Sequence, residues 1–295
     1  EAIESILSIC DEFVVALGDC DADDETEALI NSIGSDKIKI IHTVWDLEKY
    51  PRGMENAHQT DIAREACTGD WLFYLQADEV VHEKYLEPIR QKCLERLDDP
   101  KVEGFLFSYK HFFGDYSHYN DHHGWYPYEI RIIRNKPDIH SYISAQSFRR
   151  IPDFNGLTYR QKEGTYKLQV EKIPAEIYHY GWVRPPKLMQ AKSKSLDSIH
   201  KGKKAMDEAY RKKAAGFDYG NMNWYKSFND THPKVMQDFI DRFDWKDELH
   251  FEKGYKINRQ PMKHEKPICR GVTWIEKILF GGRQLFAYSN WKIVR

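Results

Sequence analysis

The order of apolar and polar residues predicts alternating helices and strands in the first half of the chain. Apolar residues three to four positions apart, the spacing of a helix face, indicate helices in residues 1–9, 26–32, 56–67 and 85–97. Short apolar runs indicate strands in residues 12–17, 37–45 and 70–75. Because strands alternate with helices of this length, we predict βαβ units and a mostly parallel sheet.

The middle and the end of the chain have a different character. Residues 104–109 and 129–133 are short β-like runs in a region rich in Tyr, Phe and His. After the Pro185-Pro186 pair, residues 187–213 form a basic stretch with helical spacing. We therefore predict an α/β domain in residues 1–184 and a mainly helical, aromatic-rich region in residues 185–295.

Composition and charge argue against several classes of protein. The 44 Lys and Arg residues are balanced by 46 Asp and Glu residues, and the resulting charge of −2 argues against a nucleic-acid partner. No apolar run approaches the roughly 18 residues of a membrane-spanning helix. The five Cys residues are scattered without a C-x-x-C pair. We therefore expect reduced thiols in a cytoplasmic protein rather than disulfides or a zinc site.

Two clusters of acidic residues follow predicted strands. Residues 19–24 come after the strand that ends at residue 17, and Asp78 and Glu79 come after the strand that ends at residue 75. Ligands of parallel sheets bind at the carboxyl ends of the strands, so we predict that both clusters belong to one site. Carboxylates there suit Mg²⁺ or Mn²⁺, whose coordination shell phosphate oxygens complete. The alternative is that Asp78 or Glu79 only caps the following helix.

The segments around these clusters resemble those of a known family. They read CDEFVVALGDCDADDETEALI at residues 10–30 and NAHQTDIAREACTGDWLFYLQADEVV at residues 56–81. Both are similar to family 2 glycosyltransferases, among them bacterial lipopolysaccharide-core and cell-surface glycan glycosyltransferases. The resemblance covers roughly residues 1–134 and implies an α/β GT-A fold, with a Rossmann-like, mostly parallel sheet and a helical C-terminal extension. It also implies a first strand with a base-binding loop before Glu1.

The resemblance implies a nucleotide site made of polar residues from several segments. Asp19 or Asp21 would accept a hydrogen bond from the nucleotide base, and we favour Asp19 because it is nearer the strand end. Arg131, in the segment YPYEIRIIR, would contact the diphosphate, whose geometry suits a guanidinium fork. The alternative for Arg131 is a pair with Glu129 on the sheet. The other residues that the resemblance places in this site are Thr60 and Gln76.

The resemblance also implies a divalent cation, Mn²⁺ or Mg²⁺, held by Asp78 and His179. Asp78 is the last Asp of the family's LDADE-type motif, and His179 lies in the late segment YHYGWVR. The first Asp of that motif is Gln76 in this chain. A neutral amide offers a cation less charge than a carboxylate, so this replacement weakens the predicted metal site.

Inverting transfer of a sugar requires a general base within reach of the acceptor hydroxyl. Three candidates for this base lie between the metal motif and the late His segment, namely Asp115, Asp121 and Glu129. We favour Glu129 because it lies just before Arg131 at a predicted strand end, and Asp121 is the next candidate.

The resemblance thus predicts metal-assisted transfer of a sugar from a nucleotide-diphosphate donor, with a UDP-sugar favoured, to a hydroxyl of a glycan or lipid-linked acceptor. Two alternatives are a sugar-nucleotide-binding protein without catalysis and a nucleotidyltransferase of similar fold. The basic stretch at residues 187–213 is predicted to be a solvated helix face. Alternatively, it is a helix in peripheral contact with the inner face of the membrane, near a lipid-linked acceptor.

Overall fold

The computed structural model describes residues 1–285 and 287–294, which form eight α-helices and twelve β-strands. The helices are α1 (Ala2–Ile6), α2 (Thr26–Ser32), α3 (Met54–Glu65), α4 (Leu86–Glu95), α5 (Pro186–Lys201), α6 (Lys203–Tyr210), α7 (Gln237–Asp241) and α8 (Pro267–Leu279). The strands are β1 (Phe13–Leu17), β2 (Ile38–His42), β3 (Trp71–Phe73), β4 (Glu79–Val81), β5 (Gly104–Phe113), β6 (His118–Asn120), β7 (Tyr128–Arg134), β8 (Ile139–Tyr142), β9 (Ser147–Arg150), β10 (Tyr166–Trp182), β11 (Lys226–Ser227) and β12 (Trp291–Ile293).

Ten of the strands form one mixed sheet, whose centre is the parallel pair of β5 and β10. On one side, β10 continues the sheet through β9 and β8, and on the other β5 continues it through β6 and β11. Strand β7 lies between β3 and β5 and pairs with both, while β4 and β12 pair with β10. The two remaining strands, β1 and β2, form a separate parallel pair.

The predicted GT-A fold, with its Rossmann-like and mostly parallel sheet, is wrong. Among the described residues, only two of the nine strand pairs in the large sheet are parallel, β10 with β5 and β10 with β12. Alternation of helix and strand ends after α4, because residues 104–182 contain six strands and no α-helix. Neighbouring strands joined without a crossover helix pair antiparallel, and this connection dominates the sheet.

The two acidic clusters follow strands of different sheets. Residues 19–24 follow β1, which belongs to the separate pair, whereas Asp78 follows β3, whose partner is β7. The sequence argument that one parallel sheet brings both clusters to the same edge therefore does not apply. The starts of β1 and β3 do lie close together, because Glu12 accepts hydrogen bonds from the backbone and hydroxyl of Thr68.

Residues 185–295 share a hydrophobic core with the large sheet. Phe113 of β5 and Tyr180 of β10 belong to the same buried cluster as Met222, Tyr225 and Trp245. Strands β11 and β12 from this region also extend the sheet. Among the described residues no helix has the length and hydrophobicity needed to cross a bilayer, the longest being α5 with 16 residues.

Candidate functional site

Asp78 is the centre of the candidate site. It lies between β3 and β4, where its backbone carbonyl accepts a hydrogen bond of 2.8 Å from the Tyr180 amide of β10. One carboxylate oxygen, Oδ1, is 3.7 Å from Nε2 of His179, and the other, Oδ2, is 2.7 Å from Nζ of Lys192. The Asp78 side chain is 26% exposed, so a ligand in solution can reach it.

A chain of hydrogen bonds fixes the tautomer of His179. Nε2 of His111 is 2.8 Å from the carbonyl oxygen of Tyr126, which can only accept, so this nitrogen carries the proton. Nδ1 of neutral His111 is then an acceptor, and Nδ1 of His179, 3.1 Å away, donates to it. Burial lowers the pKa of both imidazoles, which keeps them neutral at pH 7. Nε2 of His179 therefore presents a lone pair towards Asp78.

Lys192 supplies the positive charge that balances Asp78. Its ammonium, which comes from α5, donates to Asp78 Oδ2 and, over 2.8 Å, to the carbonyl oxygen of Gly181. Burial opposes ionisation of the Asp78 carboxyl, but the charge of Lys192 and its hydrogen bond favour ionisation, and the pKa of Asp78 is lowered. The site therefore contains a carboxylate, an imidazole lone pair and an ammonium group within one small region.

Gly181 provides the space in which these groups meet. A Cβ atom at this position would lie 2.4 Å from Oδ2 of Asp78 and 2.6 Å from Nε2 of His179. The pairing of β10 with β5 also shifts register between His179 and Trp182. A side chain at position 181 would thus displace the two ligand atoms that the strand otherwise holds in place.

Glu79 and Arg131 form a buried ion pair behind the site. Arg131 donates from Nε and Nη2 to the two carboxylate oxygens of Glu79, over 2.9 and 2.8 Å, and Tyr109 donates its hydroxyl to the same carboxylate. The two charged side chains are 0% and 1% exposed. The Arg131 guanidinium therefore binds Glu79, and not a diphosphate or Glu129 as the sequence suggested. The pair fixes the backbone beside Asp78.

Gln76 lies two residues before Asp78 and contacts the turn that joins β8 to β9. Its amide nitrogen is 3.1 Å from the Tyr74 hydroxyl and 3.4 Å from the Ala145 carbonyl oxygen. Ala145 and Ile143 in this turn have φ angles of 56° and 67°, in the left-handed region that is costly for residues with a Cβ. Gln76 therefore binds protein groups, and its side chain offers no charge to a cation.

Of the three other residues predicted for the nucleotide site, two lie elsewhere on the molecule. Asp19 and Asp21 are exposed in the loop that follows β1. Thr60 lies on α3, where its hydroxyl donates to the Asn56 carbonyl and is close to Tyr74. Thr60 is thus near Gln76 through Tyr74, whereas the two Asp side chains extend into solvent from the smaller sheet.

The two predicted bases have different surroundings. Glu129 is 5% exposed, burial raises its pKa to about 7, and its Oε2 has no hydrogen-bond partner among the described residues. Asp121 instead forms an ion pair of 2.7 Å with Lys277 of α8. Glu129 therefore has the pKa of a general base near neutral pH, and Asp121 is held by a Lys on a surface helix.

Sequence reasoning missed His111, Gly181 and Lys192. His111 belongs to the run GFLFSYKHFF, in which it occupies a buried position among apolar residues, and this was the one available signal. Gly181 lies within the segment YHYGWVR, but a glycine has no side-chain chemistry that marks a site. Lys192 belongs to the basic stretch that was interpreted as a solvated helix face. Nothing in the sequence distinguishes it from the other basic residues of that stretch.

Comparison with known proteins gives little further information. No family model matches the sequence. Over 185 residues the chain is 27% identical to a TPR repeat-containing protein of the cyanobacterium Synechococcus elongatus. This alignment covers 62% of the chain but only 38% of the length of that protein. The similarity at this level concerns a part of a longer relative and does not assign this chain to a family.

Proposed function

We propose that the protein transfers a sugar from a nucleotide-diphosphate donor to a hydroxyl of a glycan or lipid-linked acceptor. The observation that carries the proposal is the convergence of two unprotonated ligand atoms, Oδ1 of Asp78 and Nε2 of His179, 3.7 Å apart beside the Lys192 ammonium. Such a set suits a divalent cation and the phosphate oxygens that accompany it. The motif resemblance of residues 10–30 and 56–81 to family 2 glycosyltransferases supports the same chemistry.

The residues fit Mn²⁺ or Mg²⁺ bound together with a diphosphate, rather than a cation held by the protein alone. No group of three His, Cys, Asp or Glu side chains in the described part of the chain could hold a metal ion. Asp78 and His179 would therefore supply two ligands, and phosphate oxygens and water the remainder. When bound, the cation neutralises charge that develops on the leaving diphosphate.

Each remaining residue has a role that follows from its contacts. His111 keeps the lone pair of His179 directed at Asp78, and Gly181 leaves room for the ligand. Lys192 holds the Asp78 carboxylate ionised. Its ammonium, 2.7 Å from Asp78, would also donate to a phosphate oxygen of a donor bound at this carboxylate. We retain Glu129 as the base that accepts the proton of the acceptor hydroxyl, since a pKa of about 7 suits proton transfer near neutral pH. Donor contacts with Asp19, Asp21 and Thr60 remain predictions.

A second candidate function is sugar-nucleotide binding without transfer. It is favoured by Gln76, whose amide stands where the related motif has an Asp, and by Lys192, whose ammonium already neutralises Asp78. In that case the nucleotide would bind without a metal requirement. Transfer activity and metal dependence therefore separate the two candidates.

Calorimetric titration of UDP with and without Mn²⁺ tests the metal site. We expect Mn²⁺ to tighten UDP binding by the wild-type chain, and Asp78→Asn to abolish that increase because an amide attracts a cation less than a carboxylate does. Asp207→Asn is the matched control. Asp207 of α6 forms an ion pair of 2.6 Å with Lys194, which lies on α5 like Lys192, and Asp207 does not contact Asp78. Equal affinity and equal Mn²⁺ dependence in wild type and Asp78→Asn would refute the assignment.

Release of UDP from UDP-sugars tests the catalytic part of the proposal. We expect the wild-type chain with Mn²⁺ to release UDP slowly to water and faster when a glycan acceptor is supplied. UDP binding that persists without release from any UDP-, GDP- or CMP-sugar would favour the binding protein over the transferase.

A further inference from the structure

Helix α8 presents its polar side to the protein and its apolar side to solvent. Thr273 and Glu276 are buried, because the backbone and imidazole of His123 bind their side-chain oxygens at 3.0 and 2.9 Å. The apolar residues on the opposite side, with their exposed fractions, are Ile268 (81%), Leu279 (69%), Trp274 (64%) and Ile278 (58%). An apolar stripe this exposed is typical of a surface that is covered by something else.

The exposed charged residues of the segment that carries the stripe are all positive, and one of them, Lys277, is paired with Asp121 of a neighbouring loop. Residues 263–283 contain two carboxylates, Glu265 and Glu276, and both are buried. Glu265 is paired with Arg259, and Glu276 accepts from His123. The basic residues of the same segment are Lys263, Lys266, Arg270, Lys277 and Arg283. The exposed part of the segment thus combines apolar side chains with a cationic border.

We infer that α8 is a docking helix that lies on an anionic lipid surface. A Trp and aliphatic stripe flanked by Lys and Arg is the pattern of helices that bind in the plane of the membrane interface. Apart from the pair of Lys277 with Asp121, the exposed charges of the segment are positive, which matches the anionic headgroups of a cytoplasmic leaflet. The helix has 13 residues and so covers roughly 20 Å by 10 Å, far less than the roughly 800 Å² per partner of a stable protein interface.

The lipid-facing helix is connected to the candidate site by one loop. Lys277 and Glu276 of α8 bind Asp121 and His123, at the start of the loop that leads to β7. The carbonyl of Tyr126, at the other end of that loop, holds His111, which in turn orients His179. Docking would therefore bring the site close to a lipid-linked acceptor. This last step rests on the proposed function, whereas docking itself does not.

Flotation of the full chain with vesicles tests the inference without any activity measurement. We expect the wild-type chain to float with vesicles of phosphatidylcholine and phosphatidylglycerol, and to remain unbound with phosphatidylcholine alone. Trp274→Ser with Ile278→Ser should abolish flotation because it removes the apolar anchor. Lys266→Glu with Arg283→Glu should weaken apparent affinity by at least about tenfold, because basic residues near an anionic surface strengthen binding.

Leu29→Ser is the matched control, since Leu29 is 63% exposed on α2 and lies outside the stripe. It should float like wild type, and circular dichroism should show the same fold in every variant. Failure of the wild-type chain to bind anionic vesicles would overturn the inference. So would equal flotation of the Trp274 and Ile278 double variant, or loss of a dimer in that variant without any lipid binding by the wild type. None of these outcomes depends on whether UDP binds.

Discussion

Asp78 and Glu79 are neighbours in the chain, yet their carboxylates have opposite surroundings. Successive side chains of an extended segment point to opposite sides, so Glu79 enters the core while Asp78 faces the candidate site. The bidentate contact with Arg131 compensates the buried charge of Glu79, and removal of one partner from such a pair costs about 3–5 kcal/mol. Glu79 therefore serves stability, and Asp78, paired with Lys192 but partly exposed, remains accessible to a ligand.

Glu129 carries a charge that weakens the fold at high pH. The pKa of this carboxyl is raised from 4.5 to about 7 by burial. At pH values between 4.5 and about 7, position 129 binds fewer protons in the unfolded chain than in the folded chain. The contribution of Glu129 to the free energy of unfolding therefore falls as the pH rises through this range, and it is constant above it. Glu129→Gln removes this loss. We expect the variant to match wild type near pH 4.5 and to exceed its free energy of unfolding by roughly 3 kcal/mol at pH 8.

Urea unfolding at both pH values measures this difference, and other titrating groups cancel because they are common to both chains. If the variant differs from wild type by the same amount at both pH values, Glu129 is ionised in the folded protein without cost. The same variant also tests the base. Transfer that falls by roughly 10²–10⁴ while stability rises would separate a catalytic role from a structural one.

The structure brings together only some of the residues that sequence reasoning identified. Asp78 and His179 were selected from separate motifs, and the structure places their side chains 3.7 Å apart. Their role in metal binding stays a prediction. Arg131 was assigned to a diphosphate because its motif suits one, but the choice among carboxylate partners depends on which strand lies opposite. That information resides in the arrangement of β4, β10, β5 and β7 in the sheet, and not in the local sequence.

At the scale of elements, local periodicity predicted most of the first half of the fold. The helix predicted for residues 26–32 coincides with α2, and the predictions for residues 12–17, 56–67 and 85–97 differ from β1, α3 and α4 by at most two residues at each end. Strand pairing could not be predicted in the same way. Glu79–Val81 was not recognised as a strand because only three residues of it pair, and its partner lies some 100 residues later. Contacts at such a distance leave no local pattern.

The turn between β8 and β9 stores backbone strain that a glycine would release. Ala145 has a φ angle of 56°, at which a Cβ atom destabilises the folded chain by roughly 1–2 kcal/mol. A glycine would remove this cost, but it would also make the unfolded chain more flexible, which destabilises the fold by about 0.4–1 kcal/mol. We expect Ala145→Gly to raise the free energy of unfolding by about 0.5–1 kcal/mol, measured in urea. Ala175→Gly in β10, also buried, is the control and should lower it. A loss of stability in Ala145→Gly would mean that the methyl group contributes more by packing than it costs.

At the scale of the whole molecule, the sequence boundary at Pro185 separates segments that share one core. Phe113 of β5 packs against Tyr225 and Tyr219, with ring centroids 4.6 and 5.3 Å apart. A chain that ends at Arg184 would expose this side of the sheet. We therefore expect residues 1–184 alone to lack a cooperative thermal transition that the full chain shows, and to be cleaved rapidly by protease. A cooperative transition in the fragment would establish residues 1–184 as an independent domain.

The long central strand also determines when the molecule can be completed during synthesis. His179 of β10 pairs with Glu79 of β4, so 100 residues must be added before that pair can form. At about 5–20 residues per second, the β10-facing edges of β4 and β5 remain open on the ribosome for roughly 5–20 s. Open strand edges recruit other chains. Yield in a heterologous host should therefore depend on nascent-chain chaperones and on the rate of elongation across residues 80–182, more than on the stability of the finished fold.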